Sequence, residues 1–289
     1  MLSKLRFLSL GFLALAGCAL IGVGHSQRPA LTPKNESEFA KAAVMITSNN
    51  MRSGGTGVIL DSRPGYTRIL TNKHVCQLIQ VGGKVITDDN KVYPVQNFRV
   101  YKKHDLCLIS VMKDLGVKIK VAPQAPEIYE SNVVVGHPAL LPTIVTRGHF
   151  SQIREIQLMV GVTPCDGSEV GDDALSCVFN GGKPLIVELE AQVTSSTIMP
   201  GSSGSAVFNS KGELAGLIFA GRSEFGYGML VPWEYINDFL THLKSYPLQT
   251  PDAAKKPENF FVSSNLKNLL EICRNQDDEG NCKRYVVGR

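Results

Sequence analysis

The sequence predicts an all-β fold that contains two successive sets of short strands. Short apolar runs rich in Val, Ile and Leu recur along the chain, and clusters of Gly, Pro, Asn, Asp or Ser separate them. Strands of this length and spacing are typical of small closed barrels. The predicted strands of the first set are 43–47, 58–60, 67–71, 84–87, 92–100 and 106–111. Those of the second set are 132–135, 143–150, 156–162, 186–192, 206–209, 214–219 and 227–231.

A helix is predicted after the second set, at residues 232–244. Its apolar side chains recur with a helical period, which suits a terminal helix that packs on the second set. These side chains are Ile236, Phe239, Leu240 and Leu243. The tail, residues 246–289, begins with several prolines and is interpreted as a packing appendage, with partner docking as the alternative.

Composition indicates a globular protein. The 289 residues suffice for one two-lobed unit, and a hydrophobic content of 43% excludes a disordered chain. The formal net charge of +4 is modest, and part of it comes from Lys4 and Arg6. No basic stripe is present, so nucleic acid is not expected as a partner.

Residues 1–26 have the layout of a secretory signal, with cations first, then an uncharged apolar run, then small residues. Three outcomes are compatible with it. Cleavage after Ser26 would release a periplasmic or secreted protein. Alternatively, Leu15-Ala-Gly-Cys18 would be a lipoprotein signal with Cys18 lipidated, or the run would stay as a membrane anchor. We favour export with cleavage, because lipidation would leave the apolar residues 19–23 exposed.

The candidate nucleophile is Ser203. It lies between Gly201 and Gly204 in a stretch that is followed by two apolar runs. The glycines allow a positive φ and a close approach of substrate, so the amides of Gly201 and Ser203 could bind a developing oxyanion. Taken alone, the same stretch is also compatible with a flexible turn.

A candidate base and a candidate orienting acid lie upstream. His74 is predicted to end a strand, and Asp105 is predicted to open another. The order His, Asp, Ser is one in which catalytic triads occur. Each residue alone is compatible with a surface or turn position, but together and in order they favour catalysis. His104, beside Asp105, is expected to face the opposite way, because adjacent residues of an extended segment alternate.

These motifs resemble the chymotrypsin-fold serine proteases, and most closely the bacterial branch of the high-temperature-requirement proteases and the glutamyl endopeptidases. The resemblance covers most of residues 40–240 in the family's order. It is carried by segments at 55–60 (Gly-Thr-Gly-Val-Ile-Leu), 70–75 (Leu-Thr-Asn-Lys-His-Val), 104–109 (His-Asp-Leu-Cys-Leu-Ile), 135–138 (Val-Gly-His-Pro), 200–205 (Pro-Gly-Ser-Ser-Gly-Ser) and 212–217 (Gly-Glu-Leu-Ala-Gly-Leu).

The resemblance implies two six-stranded antiparallel barrels within a protease domain at 27–245, one at about 40–120 and one at about 130–245. His74, Asp105 and Ser203 would form the triad of a serine endopeptidase in the cleft between them. The expected partner is a protein or peptide substrate, and no metal or cofactor is expected. The tail departs from the high-temperature-requirement pattern, because it is too short for the peptide-binding domain that often follows the protease there.

The resemblance also places a pocket for the substrate side chain that precedes the cleaved bond, the P1 side chain. Thr197 and Ile198 would lie near its base, with Phe219, Ala220 and Gly221 in its wall. In trypsin-type enzymes, an Asp at the position of Thr197 selects substrates with Arg or Lys at P1. Because Thr197 carries no charge, an uncharged P1 residue is expected. A glutamyl preference stays open, because Thr197 could bind a carboxylate.

Six cysteines follow the leader, an even number that favours disulfides in an exported chain. Cys165 with Cys177 and Cys273 with Cys282 are local pairs, which leaves Cys76 with Cys107. A zinc site is disfavoured by the spacing, and free buried thiols are the alternative in a reducing compartment.

Two alternatives to an enzyme are compatible with the sequence. Ser205 and Ala206 replace a more usual Gly-Pro, which would suit a latent binding protein with a collapsed oxyanion loop. The chain could also be a scaffold of the cell envelope whose tail recruits partners.

Overall fold

A computed structural model describes residues 33–51, 53–163, 183–222 and 226–252. Two antiparallel sheets hold most of the regular structure in these residues, which confirms the expected all-β, chymotrypsin-type fold. The α-helices among them are α1 (Pro33–Ala42), α2 (Lys73–Leu78) and α3 (Trp233–Thr241). Short 3-10 turns lie at Pro138–Leu140 and Leu243–Ser245. No helix in the described residues is long and apolar enough to cross a bilayer.

The first lobe is a seven-stranded sheet together with α2. Its strands are β1 (Ala43–Ser48), β2 (Gly54–Arg63), β3 (Tyr66–Thr71), β4 (Gly83–Ile86), β5 (Val92–Pro94), β6 (Asn97–Val100) and β7 (Cys107–Val111). They are ordered β5-β4-β1-β2-β3-β7-β6, so the edge strands β5 and β6 are consecutive in the chain.

The single strand predicted at 92–100 is therefore two strands on opposite edges of this sheet. Pro94 ends β5, because proline has no N–H to continue the ladder. The next two amides then pair with different strands: Val95 donates to Gly83 at 3.0 Å, and Gln96 donates to Ser110 at 2.8 Å. The chain thus crosses from one edge of the sheet to the other, and the curled sheet forms an open half-barrel.

The second lobe is a closed barrel together with α3. Its strands are β8 (Ser131–Gly136), β9 (Ile144–Thr163), β10 (Lys183–Thr194), β11 (Ala206–Phe208), β12 (Leu214–Arg222) and β13 (Tyr227–Val231). They are ordered β10-β13-β12-β11-β8-β9 around the barrel. The runs predicted at 143–150 and 156–162 are parts of one strand, β9, because no Gly, Pro, Asn or Asp lies between them.

Both faces of the central strands are buried, which explains their nearly continuous apolar sequence. Ile59 and Ile69 point into the interior of the first lobe. Val58 and Leu70 instead join a core cluster that also contains Phe208 of the second lobe. Strand alternation thus supplies one layer inside the first lobe and one layer between the lobes.

The first and last described segments each pack on the lobe that is more distant in sequence. Phe39 of α1 stacks on Phe208 of β11, with ring centroids 4.1 Å apart. At the other end, the Tyr101 hydroxyl donates to Asp238 of α3 at 2.5 Å. Gln249 exchanges backbone hydrogen bonds with Phe98 at 2.9 Å in both directions, which covers the free edge of β6. These contacts fix the cleft between the lobes.

Candidate active site

His74 and Asp105 form a close hydrogen-bonded pair in the first lobe. The Asp105 Oδ2 lies 2.6 Å from His74 Nδ1, and the His74 backbone N–H donates to Asp105 Oδ1 at 3.0 Å. His74 does not end a strand as predicted: β3 ends at Thr71, and His74 is the second residue of α2. Likewise, β7 begins at Cys107, so Asp105 lies in the loop before that strand.

The loop that carries Asp105 is held by two neighbours. Asn72, which is fully buried, donates from its side-chain amide to the Asp105 carbonyl at 2.9 Å. The Asp105 N–H donates to His104 Nδ1 at 2.8 Å. Asn72 and His104 therefore hold the backbone of Asp105, which leaves the Asp105 carboxylate to bind His74.

Burial and charge act in opposite directions on the pair. Burial favours the neutral form of each group. For His74, the charge of Asp105 and the hydrogen bond outweigh burial, so the pKa is raised above its usual value. For Asp105, burial is likewise outweighed by the charge and hydrogen bonds of His74, and the pKa is lowered. Asp105 is therefore ionised, and an ionised carboxylate can only accept, so His74 Nδ1 carries a proton and Nε2 is free to accept one.

His104 has a role that the sequence did not reveal. Its Nδ1 accepts from Asp105 N–H, so Nε2 carries the proton and donates to the Glu190 carbonyl of the second lobe at 2.7 Å. Burial lowers the pKa of His104, with the hydrogen bond to Glu190 and nearby carboxylates opposing it, which favours the neutral ring. His104 is thus a bridge between the lobes and faces away from the substrate side of Asp105.

A disulfide joins the two segments that carry the pair. Cys76 in α2 and Cys107 at the start of β7 are bonded, as predicted, and both are fully buried. Each lies two residues after His74 or Asp105, so the bridge restrains the separation of these two side chains. The cysteines at 165, 177, 273 and 282, and the leader with Cys18, lie outside the described residues.

Ser203 lies in the serine loop, residues 199–205, whose carbonyl groups are systematically occupied. Pro200 accepts from the Ala139 N–H at 2.5 Å, and Gly201 accepts from the Thr56 hydroxyl at 3.1 Å. Ser202 accepts from the Ser205 N–H at 2.9 Å, and Ser203 from the Thr56 N–H at 2.7 Å. By contrast, the amides of Gly201 and Ser203 donate to no group within the described residues.

Glycine is required on both sides of the serine. Gly201 and Gly204 have φ values of +92° and +87°, in the left-handed region. A methyl group on Gly204 would lie 1.9 Å from the Thr56 carbonyl oxygen. The loop can therefore contact β2 only because this position carries no side chain.

The structure places the backbone of Ser203 beside the helix that carries His74. A methyl group on Gly55 would lie 2.7 Å from Val75 Cγ2 and 2.8 Å from the Ser203 carbonyl oxygen. Val75 follows His74 directly in α2. Gly55 thus lets the first lobe and the serine loop approach closely at the cleft.

A cavity of about 350 Å³ opens next to Ser203. Its lining includes the predicted pocket residues Ile198, Ala220 and Gly221, and no charged side chain among the described residues that border it. Ile198 packs directly on Gly221, where a methyl group would lie 2.1 Å from Ile198 Cδ1. The floor of the cavity is therefore apolar.

Phe219 and Thr197 do not line this cavity. Phe219 lies between Ile218 and Ala220 in β12 and points to the other face, where its ring packs edge-on against His104 at 5.4 Å. Thr197 borders a smaller neighbouring cavity of about 90 Å³ with Ser202 and Ser205. The expected wall position of Phe219 and the basal position of Thr197 thus need correction.

The chain matches the model of the trypsin-like peptidase domain family over residues 55–217, more than half of its length. It therefore belongs to the trypsin-like peptidase domain family and is a serine-type peptidase. The matched residues include His74, Asp105 and Ser203.

Solved structures share the fold. The inactive form of the Rv3671c protease of M. tuberculosis is 17% identical, with a TM-score of 0.52, and covers 72% of this chain and 91% of its own. The serine endoprotease of Yersinia pestis is 22% identical, with a TM-score of 0.52, and covers 73% of this chain and 65% of its own. At these identities the likeness concerns the fold alone.

Proposed function

We propose that the protein is a serine endopeptidase in which Ser203 is the nucleophile, His74 the general base and Asp105 the orienting acid. The observation that carries the proposal is the 2.6 Å hydrogen bond between His74 and Asp105, next to a serine loop in which two amides have no acceptor among the described residues. This hydrogen bond selects the His74 tautomer with an unprotonated Nε2, which is the form that can accept the proton of a serine hydroxyl.

The reaction follows from these roles. His74 Nε2 takes the Ser203 proton as Oγ attacks the peptide carbonyl, and the charge of Asp105 stabilises the resulting imidazolium. The imidazolium then gives the proton to the leaving amine, and the C–N bond breaks to leave an acyl-enzyme. Water attacks the ester, again with His74 as base, and the acid product leaves with Ser203 restored.

The Gly201 and Ser203 amides supply the oxyanion site. These two amides donate to no group among the described residues, whereas the carbonyls of residues 200–203 each accept a hydrogen bond. The amides are therefore available to bind an oxyanion. A hydrogen-bond donor of this kind contributes about 3 kcal/mol to the transition state.

The apolar floor formed by Ile198 supports a preference for an uncharged P1 side chain. An Asp or Glu at P1 would lose water without gaining a cation among the described residues that line the cavity. Thr197, the proposed partner of a glutamyl carboxylate, borders the neighbouring cavity instead.

The acyl-enzyme gives the direct test. With an activated ester, the wild type should release a rapid burst of about one equivalent of alcohol before the steady state, because acylation precedes slower deacylation. A Ser203→Ala variant should show no burst, and mass spectrometry should find the acyl group on Ser203. A burst that survives in Ser203→Ala would refute the assignment of the nucleophile.

A peptide library that varies only P1 tests the specificity. Apolar and small uncharged residues should be cleaved in preference to Glu, Arg and Lys. Preferential cleavage after Glu would refute the proposed role of Ile198.

A further inference from the structure

Thr56 contacts the serine loop through its backbone and its side chain. It lies in β2 of the first lobe and is fully buried. Its N–H donates to the Ser203 carbonyl at 2.7 Å, and its carbonyl accepts from the Thr71 hydroxyl at 2.6 Å. These backbone contacts would be available to any residue at position 56, but its hydroxyl makes two further ones.

The Thr56 hydroxyl links two segments of the second lobe. It accepts from the His137 backbone N–H at 2.9 Å and lies 3.1 Å from the Gly201 carbonyl. The His137 amide can only donate and the Gly201 carbonyl can only accept, so the hydroxyl proton must point at Gly201. The hydroxyl is thus the junction between the serine loop and the segment that begins at His137.

The same segment holds the preceding peptide of the loop. The Ala139 N–H donates to the Pro200 carbonyl at 2.5 Å, in a turn where Ala139 and Leu140 both have left-handed φ values, 52° and 56°. The C=O and N–H of a trans peptide point in opposite directions. Since the Pro200 carbonyl points at Ala139, the Gly201 N–H of that peptide points away from it.

Both peptide planes that flank Gly201 are therefore held through their carbonyls. Ala139 holds the carbonyl of the Pro200–Gly201 peptide, and Thr56 holds that of the next peptide. Gly201 has no side chain and a φ of +92°, so nothing in its own chemistry prevents these planes from rotating. Rotation of the first plane would turn the Gly201 amide away from an oxyanion. Loss of the Thr56 hydroxyl would release the second plane and also free His137, whose segment holds the first.

We propose that the Thr56 hydroxyl is a positioning group that holds the Gly201 amide in the direction needed for oxyanion binding. This inference rests on the proposed function of Ser203 and the two amides. Thr56 does not itself touch the substrate in this account, and it acts through Gly201 and His137.

The test compares variants that differ by one group. Thr56→Val keeps the size and the backbone of threonine but removes the hydroxyl, and Thr56→Ser keeps the hydroxyl. Thr47→Val is a matched control, because Thr47 is a buried threonine in β1 whose hydroxyl has no partner within the described residues. Circular dichroism establishes first which variants are folded.

We expect Thr56→Val to lower kcat on an amide substrate by about 10- to 100-fold with little change in KM, because an oxyanion contact is made in the transition state. The affinity for a peptide aldehyde, which forms a tetrahedral adduct, should fall by a similar factor. Thr56→Ser and Thr47→Val should retain the wild-type kcat. A role in stability alone would lower the melting temperature and leave kcat of the folded protein unchanged.

Wild-type kcat in folded Thr56→Val, or a change confined to KM, would overturn the inference. If Thr56→Val does not fold, Thr56→Ser and Thr56→Ala decide the question, since they differ by one oxygen atom, and equal kcat values in this pair would overturn it. These results are distinct from failure of the proposed function, in which the wild type itself shows no turnover that depends on Ser203. That outcome would refute both.

Discussion

The two lobes hold the candidate site in different ways. The first lobe fixes side chains: His74 and Asp105 bind each other at 2.6 Å, and the Cys76–Cys107 disulfide joins the segments that carry them. The second lobe fixes backbone: the carbonyls of the serine loop are occupied, and its glycines remove the side chains that would block a close approach.

The difference separates two kinds of chemistry. Proton transfer depends on the side chains of the first lobe, whereas binding of the oxyanion depends on amide directions in the second. Changes to the His74–Asp105 pair should therefore act on proton transfer and on the pH dependence of the reaction. Changes that turn the amides of the serine loop, including a change at Thr56 of the first lobe, should appear in kcat and in the affinity for tetrahedral adducts.

The largest effect is expected at Asp105, on the side-chain part of the site. Asp105→Asn should lower kcat/KM by roughly 10⁴-fold, because an amide at this position no longer selects the required His74 tautomer. Steady-state kinetics at neutral pH would measure the loss. Asp88→Asn is the control, since within the described part of the chain Asp88 accepts one exposed hydrogen bond, from Thr143. A loss below about tenfold would contradict the role of Asp105.

The next effect is expected at Gly204, on the backbone part. Gly204→Ala places a methyl group 1.9 Å from the Thr56 carbonyl at a φ of +87°, so the loop must shift. Activity should fall by on the order of 100-fold, and urea unfolding should show a stability loss larger than the roughly 1–2 kcal/mol of a left-handed alanine alone.

Gly65→Ala provides the reference for this change. Gly65 also has a positive φ, +74°, but a methyl group there would meet nothing within 4 Å. This variant should lose only the unfolding free energy that a left-handed alanine costs, roughly 1–2 kcal/mol, and it should keep its activity. Equal stability losses in the two glycine variants would show that the close contact with Thr56 is unimportant.

Removal of the disulfide should affect stability more than chemistry. A double variant, Cys76→Ala with Cys107→Ala, should lose about 3 kcal/mol of unfolding free energy, because the bridge closes a loop of 31 residues in sequence. The folded fraction should keep most of its kcat/KM, since Asn72 and the His74 amide still hold Asp105. Denaturant titration and kinetics on the same samples test this, and an inactive but fully folded variant would contradict it.

The smallest effect is a shift in pH dependence. His74 must be neutral to act as a base, and Asp105 raises its pKa, so kcat/KM should rise with pH through a midpoint above the ordinary value of about 6.5. His104→Gln should leave this midpoint in place, because the pKa of His104 is lowered and its neutral form already prevails there. A midpoint below the ordinary histidine value would contradict the account.

The fold and the separate motifs were predictable from sequence because each has a local signature. The glycines around Ser203 and the strand patterns reflect local backbone chemistry. The even number of cysteines after the leader reflects redox chemistry, and the pairing of Cys76 with Cys107 followed once the two local pairs were set aside. The exact ends of strands were harder to predict. His74 lies in a short helix, and the strand-like sequence before it does not indicate that a helix begins there. The break between β5 and β6 could have been predicted from Pro94, which has no N–H. The residues around Pro94 are nevertheless apolar enough to suggest a single strand.

Tertiary hydrogen bonds left no sequence signal. Thr56 stands in a Gly-Thr-Gly segment that predicts a turn or strand, and nothing in its neighbours indicates that its hydroxyl contacts residues far along the chain. The same holds for the contact of His104 with Glu190. The position of Phe219 could have been found, since adjacent residues of a strand point to opposite faces, which puts Phe219 on the face opposite Ala220.

The most direct test of the central claim is labelling of the purified protein with a fluorophosphonate, which reacts with activated serines. The account predicts a stable adduct on Ser203, located by mass spectrometry, with labelling abolished in Ser203→Ala and in His74→Ala. An adduct on another serine, or unchanged labelling in His74→Ala, would contradict the assignment of nucleophile and base. No labelling of the folded, disulfide-bonded wild type would contradict an activated Ser203 altogether.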